Sequence, residues 1–293
     1  MSSLTESRSV TGRQGGRRMP RLFGEVGPAL PAFLLIVFFF VAPVVALLLR
    51  SVLEPVPGLQ NYETLLGSAT YIGVFANTFI VSTVVTAAAL AIGFPVAWAL
   101  VVMPMTWSRI VFAILILSMW TNLLARTYAW MVLLQRTGLI NKMLMAVGLT
   151  DEPLTLVNNL TGVTIGMTYI MLPFVILPLY GVISNIDKAV LRAAALCGAN
   201  RWQALTRVLL PLAAPGMAAG GLMVFVMSLG YFVTPALLGG TSNMMLAELI
   251  AQLVQSLTDW GLGSAAAFVL LLSTLVLYGL MLKFFGTSRL GGQ

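Results

Sequence analysis

Residues 28–49 read PALPAFLLIVFFFVAPVVALLL, an apolar run of 22 residues that ends immediately before Arg50. As an α-helix, this run would be about 33 Å long, which is enough to cross the hydrocarbon core of a bilayer. The apolar core of a cleaved secretion signal is shorter, at about 7–15 residues. We therefore predict an uncleaved first transmembrane helix that follows a disordered basic tail over residues 1–27.

Further apolar runs of spanning length follow along the chain at 72–101, 109–133, 161–183, 212–236 and 263–285. Hydrophobic residues make up 59% of the chain and charged residues only 9%, whereas a soluble domain carries about 25% charged residues. So few charges could not cover the surface of a soluble protein of this length. The sequence therefore predicts an all-α polytopic membrane protein with six transmembrane helices.

The positions of the basic residues predict the orientation of these helices. Basic residues beside a transmembrane helix resist translocation and stay in the cytoplasm. If the N-terminus is inside, twelve of the 16 basic residues lie in cytoplasmic segments, three lie outside, and Arg126 lies within the third predicted helix. We therefore expect both termini, including residues 286–293, to be cytoplasmic. This distribution also accounts for the net charge of +7 without a nucleic-acid partner.

Two connections on the predicted outer side are long enough to form structure of their own. Residues 134–160 predict an interfacial helix that ends near Val147. Residues 240–262 predict an amphipathic helix from Met245 to Leu257. Its apolar residues recur at helical spacing and are Leu246, Ile250, Leu253, Val254 and Leu257.

The residue types available exclude most catalytic chemistry. The chain has no histidine and one cysteine, Cys197, and the predicted helices contain no paired carboxylates or metal-ligand set. It also lacks the Gly-Lys-[Ser/Thr] sequence that binds ATP phosphates. We therefore expect a non-catalytic chain that binds no metal or cofactor. An ion-coupled secondary transporter remains an alternative, although such proteins bury carboxylates in their helices and the nearest candidates here, Glu248 and Asp259, lie in a connection.

The segment 184–216 predicts two short helices on the cytoplasmic side. The first is expected to open near Asn185 with Asp187 in its first turn, where a carboxylate suits the helix dipole. It is expected to end at Gly198, because glycine tolerates the left-handed conformation that closes many helices.

The second short helix of this segment is expected to open at Asn200, with Gln203 three residues later as a capping pair. It is expected to end at Pro211. We call the resulting helix–glycine–helix unit, residues 184–216, the elbow. One face of the elbow is apolar and the other is basic.

The elbow has two alanines, a Gly-Ala pair, an aromatic residue and a Leu-Pro-Leu…Pro run, at Ala193, Ala194, Gly198, Ala199, Trp202, Leu210 to Leu212 and Pro215. This pattern resembles the coupling loop of ABC-importer permease subunits. In that family the loop docks into a cleft on a cytoplasmic ATPase and transmits nucleotide-driven motion to the helices. The resemblance implies a type I ABC importer permease architecture. It also implies that the ATPase is contacted by Arg192, Ala193, Ala194, Gly198, Ala199, Arg201, Trp202 and Pro211.

The elbow departs from the family pattern at two positions. Arg192 stands where the family usually has glutamate, and Leu196 stands where an acidic residue is frequent. Both differences remove negative charge from the docking face. The ion pairing with the ATPase is therefore expected to differ from the usual one.

Three further segments are similar to the spermidine/putrescine-type branch of this family. They are Arg126–Trp130 followed by Gly138–Asn141, Leu229–Gly240, and Asp259-Trp260. The similarity covers about residues 72–285, the membrane domain of the family. It implies import of a polyamine or a related amine or amino-acid-like solute through the bacterial inner membrane. The implied partners are two copies of an ATPase that binds ATP and Mg²⁺, a second homologous permease and an extracytoplasmic solute-binding protein.

Candidate path residues lie in the third predicted helix. On a straight helix Arg126 would lie about 24 Å from the cytoplasmic end, with Asn122 one turn deeper on the same face and Tyr128 nearby. Arg126 could snorkel to the outer interface, fix an outer gate through bonds to another helix, or touch the solute. Asp259 and Trp260 could dock the binding protein, or could simply mark a helix end with an aromatic residue at the interface.

Overall fold

A computed structural model describes residues 30–240 and 243–286, and every regular element in these ranges is a helix. The chain divides into two units, one up to Leu47 and one from Leu48 onward. All packing described below lies within the second unit. The predicted basic tail, residues 1–27, and residues 287–293 of the predicted C-terminal tail lie outside the described residues.

The described helices are numbered in chain order. Two of them contain a π-helical segment. They are α1 (Leu30–Ile36, the π-helical Val37–Val41, and Ala42–Leu53), α2 (Gln60–Gly67), α3 (Ala69–Val102), α4 (Met105–Trp120), α5 (Leu123–Leu134), α6 (Leu139–Ala146), α7 (Leu160–Ser184), α8 (Lys188–Leu196), α9 (Arg201–Gln203, the π-helical Ala204–Leu209, and Leu210–Leu229), α10 (Val233–Leu238), α11 (Leu246–Gln255) and α12 (Trp260–Gly286).

Five helices of the described residues, α1, α3, α7, α9 and α12, are long and apolar enough to cross a membrane. A sixth span exists if α4 together with the segment Leu123–Ala146 counts as one, although these two parts meet at an angle of 102°. The prediction of an all-α membrane protein is thus confirmed. The prediction of a straight third helix over 109–133 is wrong.

The break in the third predicted helix has a local cause at Thr121 and Asn122. Thr121 is extended, and Asn122 is the N-cap of α5, accepting hydrogen bonds at Oδ1 from the N–H groups of Leu124 (2.8 Å) and Ala125 (3.3 Å). An asparagine that satisfies these free N–H groups starts a new helix. Asn122 therefore does not lie one turn below Arg126 on a straight helix, and that prediction is wrong.

The fifth predicted span, 212–236, is displaced along the chain. The helix α9 already begins at Arg201 and ends at Leu229, and α10 is a separate short helix. The second helix of the elbow was predicted to end at Pro211 but instead continues into the span. Pro211, which has no N–H, directly follows the π-helical segment Ala204–Leu209, where the regular i→i−4 hydrogen-bond pattern is interrupted.

The core of the second unit lies between α3, α7 and α9. Its fully buried side chains include Val85, Ala89, Ala97, Met167, Met171, Leu179, Ala213 and Val224. Helices α7 and α9 approach closely at Gly220, where an added Cβ would lie 3.2 Å from the Cα of Val175. Small residues allow transmembrane helices to approach this closely.

The predicted amphipathic helix of the outer connection is present as α11. It buries Leu246, Leu249 and Leu253, and the N–H of Leu246 donates to Thr78 Oγ1 of α3 at 2.8 Å. Leu257, which was predicted to extend the apolar face, lies beyond the end of α11 and is 62% exposed. The predicted interfacial helix that ends near Val147 is confirmed as α6.

Candidate functional site

The first helix of the elbow, α8, has a well-defined start. Asp187 is its N-cap and accepts a 2.8 Å hydrogen bond from the N–H of Ala189, while Asn185 closes the preceding helix α7. The predicted start near Asn185 is therefore too early. Asp187 is the cap itself, and its carboxylate is already used within the elbow.

The end of α8 matches the predicted glycine closure. Gly198 has φ +85°, and its N–H donates to Ala195 O at 3.0 Å, while the N–H of Ala199 donates to Ala194 O at 3.0 Å. This pair of bonds is the Schellman motif, which requires a left-handed residue at the position of Gly198. The predicted conformation of Gly198 is confirmed, and it fixes the angle at which α8 meets the next helix.

The start of α9 is fixed by a reciprocal pair of hydrogen bonds. The N–H of Gln203 donates to Asn200 Oδ1 at 2.8 Å, and the N–H of Asn200 donates to Gln203 Oε1 at 3.0 Å. The predicted capping pair is confirmed. Only Gly198 and Ala199 separate Cys197, which ends α8, from this cap, so the elbow has little freedom to bend.

The solvent-exposed face of the elbow carries large apolar side chains. Leu196 is 90% exposed and Trp202 is 70% exposed. Arg192, Ala193 and Arg201 are also exposed, whereas Ala194 and Ala199 are half-buried. Exposed large apolar side chains beside a rigid turn are typical of a docking surface.

Pro211 lies apart from these exposed residues. It lies at the start of the α-helical part Leu210–Leu229 of α9 and lines an apolar cavity of about 590 Å³ between α3 and α9, together with Leu90, Met217 and Phe225. The structure therefore brings together seven of the eight predicted coupling residues and separates Pro211 from them.

Arg126 lies on α5 and faces the gap between α9 and α10. It is half-buried, and its Nε is buried without a hydrogen-bond partner. Its positive charge interacts electrostatically with the side chain of Tyr231, which lies between α9 and α10. Beside it, Thr127 Oγ1 and Thr234 Oγ1 are 3.3 Å apart, and both residues are fully buried. Within the described residues no carboxylate pairs with Arg126.

The other two predicted path residues are placed apart from this contact. Asn122 is exposed and serves as the cap of α5. Tyr128 is 50% exposed and lies two residues beyond Arg126, so it points away from it on a helix.

Asp259 and Trp260 each have a structural role. Asp259 Oδ1 accepts a 3.0 Å hydrogen bond from the N–H of Leu262 in the first turn of α12. The Arg50 guanidinium lies 5.0 Å from the ring centroid of Trp260, within the range of a cation–π interaction, and its Nε is 3.6 Å from Glu54 Oε1. These contacts tie the start of α12 to the end of α1.

Glu248, one of the carboxylates considered for ion coupling, lies on α11 outside the spanning helices. Burial raises the pKa of its carboxyl group above the ordinary value, and a hydrogen bond from the Met245 backbone acts in the opposite direction. Its Oε2 is buried without a partner. Within the described residues, no group of three or more histidine, cysteine, aspartate or glutamate residues could hold a metal ion.

Two buried asparagines were not singled out from the sequence. Asn61 donates to Ser51 O (2.9 Å) and Glu54 O (2.7 Å), which ties the outer loop to the end of α1. Asn141 is fully buried, donates to Gln135 O and Leu154 O at 3.0 Å each, and accepts from the N–H of Leu154 at 2.8 Å. Asn141 stands in the segment Gly138–Asn141 quoted above, but nothing in the local sequence signalled the burial of either asparagine.

We expect Asn141→Ala to destabilise the outer connection strongly. The substitution leaves the C=O and N–H groups of Leu154 without their partners beside a buried position and removes one of the two hydrogen bonds to Gln135 O, which also accepts from the N–H of Gly138. We expect a cost of about 2–4 kcal/mol. The measurement is the thermal unfolding midpoint of the purified protein in detergent. Asn185→Ala is the matched control, because its side chain makes one exposed hydrogen bond, to Gly181 O. Equal midpoints for the two variants would contradict the role of Asn141.

The family model described as "Binding-protein-dependent transport system inner membrane component" matches residues 16–284. The chain belongs to this family and is a multi-pass permease subunit of a binding-protein-dependent importer of the bacterial inner membrane. The function predicted from the elbow is thereby confirmed, and the alternative of an ion-coupled secondary transporter is set aside.

Individual relatives agree with this assignment. The chain is 34% identical over 232 residues to the spermidine/putrescine transport system permease protein PotB of Escherichia coli (strain K12), covering 79% of this chain and 83% of that protein. It is 34% identical over 209 residues to PotB of Haemophilus influenzae, with 71% and 73% covered. In fold it is similar to a chain of the bacterial alginate ABC transporter solved with a pentasaccharide-bound periplasmic protein, with a TM-score of 0.72, 19% identity, and 89% and 96% covered.

Proposed function

We propose that this permease forms part of the translocation path for a polyamine such as spermidine or putrescine, or for a related amine or amino-acid-like solute. The support is the identity of about one third to permeases named for spermidine and putrescine, over most of both chains. In this proposal the chain works with a second homologous permease, two copies of a cytoplasmic ATPase that binds ATP and Mg²⁺, and an extracytoplasmic binding protein.

The solute is tested on the cognate binding protein, which selects it before the permease does. We expect spermidine or putrescine to raise the thermal unfolding midpoint of that protein. Ligand at about 100 times its dissociation constant stabilises the folded state by about 2.7 kcal/mol. A rise with a sugar or an inorganic anion, and none with any polyamine, other amine or amino acid, would overturn the proposed solute class and leave the transport class intact.

The elbow is proposed as the element that couples the permease to the ATPase. The observation that carries this proposal is the left-handed Gly198 between two capped helices, since such a joint transmits a displacement that a flexible loop would absorb. Leu196 and Trp202 would enter the ATPase cleft. Closure of the ATPases on ATP would then push the elbow and open the path outward, toward the docked binding protein.

The proposed orientation places both termini and the elbow in the cytoplasm. We expect an impermeant thiol reagent to label, in intact cells, a cysteine at Thr155, which is exposed in the outer connection, but not one at Ser7 or Ser288. Cys197 is removed in all three variants. Permeabilised cells provide the control, since all three positions should then react. Labelling at Ser7 or Ser288 in intact cells, or none at Thr155, would reverse or refute the proposed topology.

Arg126 is proposed as part of an outer gate at the contact of α5 with α10. Its buried Nε and its proximity to Tyr231 support this role over snorkelling, because a snorkelling guanidinium keeps its polar atoms in water. Asn122 and Tyr128, which lie apart from this contact, are proposed as residues of the translocation path and not of the gate. Asp259 and Trp260 are proposed to contact the binding protein, since Asp259 is exposed and Trp260 is 39% exposed in addition to their structural bonds.

A further inference from the structure

A cavity of about 370 Å³ lies beneath the elbow, where α3 and α7 end and α9 begins. Its walls are mainly apolar and include Trp98, Val101, Ile183, Leu191 and Leu209. Val102 at its edge is 68% exposed. Such walls disfavour a site filled by water or by a small free ion and favour a ligand with an apolar part.

The polar rim of the cavity carries one cation, Arg192. Within the described residues Arg192 forms no ion pair and no hydrogen bond through its side chain. The exposed Arg201 and Arg207 belong to the same elbow, and its one carboxylate, Asp187, is used as the cap of α8. The rim is therefore positive and complementary to an anion.

The position of the cavity favours a lipid over a soluble anion. Helices α3 and α7 are both candidate membrane spans, so their ends lie at the level of the lipid headgroups. Basic pockets between transmembrane helices at this level are suited to anionic headgroups. Tryptophan side chains such as that of Trp98 are also enriched at the membrane–water interface.

We propose that this cavity binds an anionic phospholipid, with the phosphate on Arg192 and the upper part of an acyl chain against Trp98 and Val101. This site is additional to the proposed solute path and does not depend on which solute is carried. Its occupation would place a lipid directly against α8. It also gives a reason for an arginine at the position where the related permeases usually have glutamate, because a carboxylate there would repel the phosphate.

The test uses the importer purified with its partner subunits, stripped of lipid and then supplied with phosphatidylglycerol or phosphatidylethanolamine. Native mass spectrometry measures how much of each lipid is retained. We expect phosphatidylglycerol to be preferred, and Arg192→Gln to weaken its retention about tenfold, as for the loss of a charge-assisted hydrogen bond. Arg192→Lys should retain most of it. Arg207→Gln is the matched control, because it removes the same charge from the elbow outside the cavity, and it should bind normally.

A second variant separates the cavity from the charge. Ser184→Trp fills the cavity from its exposed rim and keeps Arg192, and it should lose phosphatidylglycerol as well. Equal retention of the two lipids, or unchanged retention in Arg192→Gln, would overturn the proposal. So would displacement of the lipid by inorganic phosphate alone, or a photocrosslinker at position 192 that reacts only with the ATPase. These readouts do not involve uptake, so a failed solute assignment would leave them unaffected.

Discussion

Gly198→Val is expected to lower both solute uptake and the ATPase activity stimulated by the binding protein by about tenfold or more, with normal membrane insertion. Gly198 has φ +85°, where a residue with a side chain pays about 1–2 kcal/mol. A β-branched residue is worse still in this conformation. No atom lies within 4 Å of an added Cβ, so the effect is conformational and not a clash. The angle between α8 and α9 would change, and the exposed face of the elbow would no longer fit the ATPase.

Two variants make this result specific. Gly148→Val is the matched control, because Gly148 has φ +73° and equally open surroundings, in the outer connection after α6. It carries the same backbone strain away from the elbow and should transport normally. Gly198→Asn should keep most of the activity, because asparagine tolerates the left-handed conformation. Full uptake and full ATPase stimulation by Gly198→Val would mean that the elbow is not the coupling element.

Arg126→Lys is expected to reduce uptake by about tenfold at matched membrane abundance. The ammonium group of lysine is a compact point charge and does not reproduce the planar, multi-donor guanidinium. If the gate relies on one or two charge-assisted hydrogen bonds in its closed or open state, their loss costs about 1.5–3 kcal/mol each. Uptake of labelled solute into cells measures the effect.

Arg136→Lys provides the comparison for Arg126. Arg136 follows the same helix, α5, but is exposed at the rim of an outer cavity, so its replacement should leave uptake unchanged. Near-normal uptake by Arg126→Lys would exclude the gate and would favour snorkelling, since a lysine also reaches the interface with its charge in water.

The elbow could be predicted in detail because its determinants are close together in the sequence. The N–H groups of Gly198 and Ala199 close α8 by donating to carbonyl groups three and five positions earlier, respectively, and Asn200 pairs with Gln203. Such signals depend on the local backbone and need no knowledge of the tertiary structure. The same holds for the apolar runs at 28–49, 72–101, 161–183 and 263–285, whose length and composition are those of membrane-spanning helices.

The errors arose where a polar residue interrupts an apolar run or acts at a distance. Asn122 carried the signal of a helix cap, but the apolar residues on both sides favoured one straight helix. Pro211 suggested a helix end, because proline usually interrupts a helix. The π-helical segment that lets the helix continue past Pro211 could not be predicted from the sequence. The contacts of Asn141 with Leu154, and of Arg126 with Tyr231, join residues far apart in the chain, and only the packed helices reveal them.

Because α9 is continuous from the elbow through the membrane-spanning part, it could transmit motion of the elbow as one rigid body. Its 29 residues from Arg201 to Leu229 extend about 44 Å at 1.5 Å per residue. The close contact of Gly220 with Val175 lies 19 residues from Arg201 and 9 residues from Leu229, and could act as the pivot of a tilt. The two arms are then about 28 Å and 14 Å long. If α9 tilts as a rigid body, the end at Leu229 would move about half as far as the elbow and in the opposite direction. The force at that end of the translocation path would be correspondingly larger.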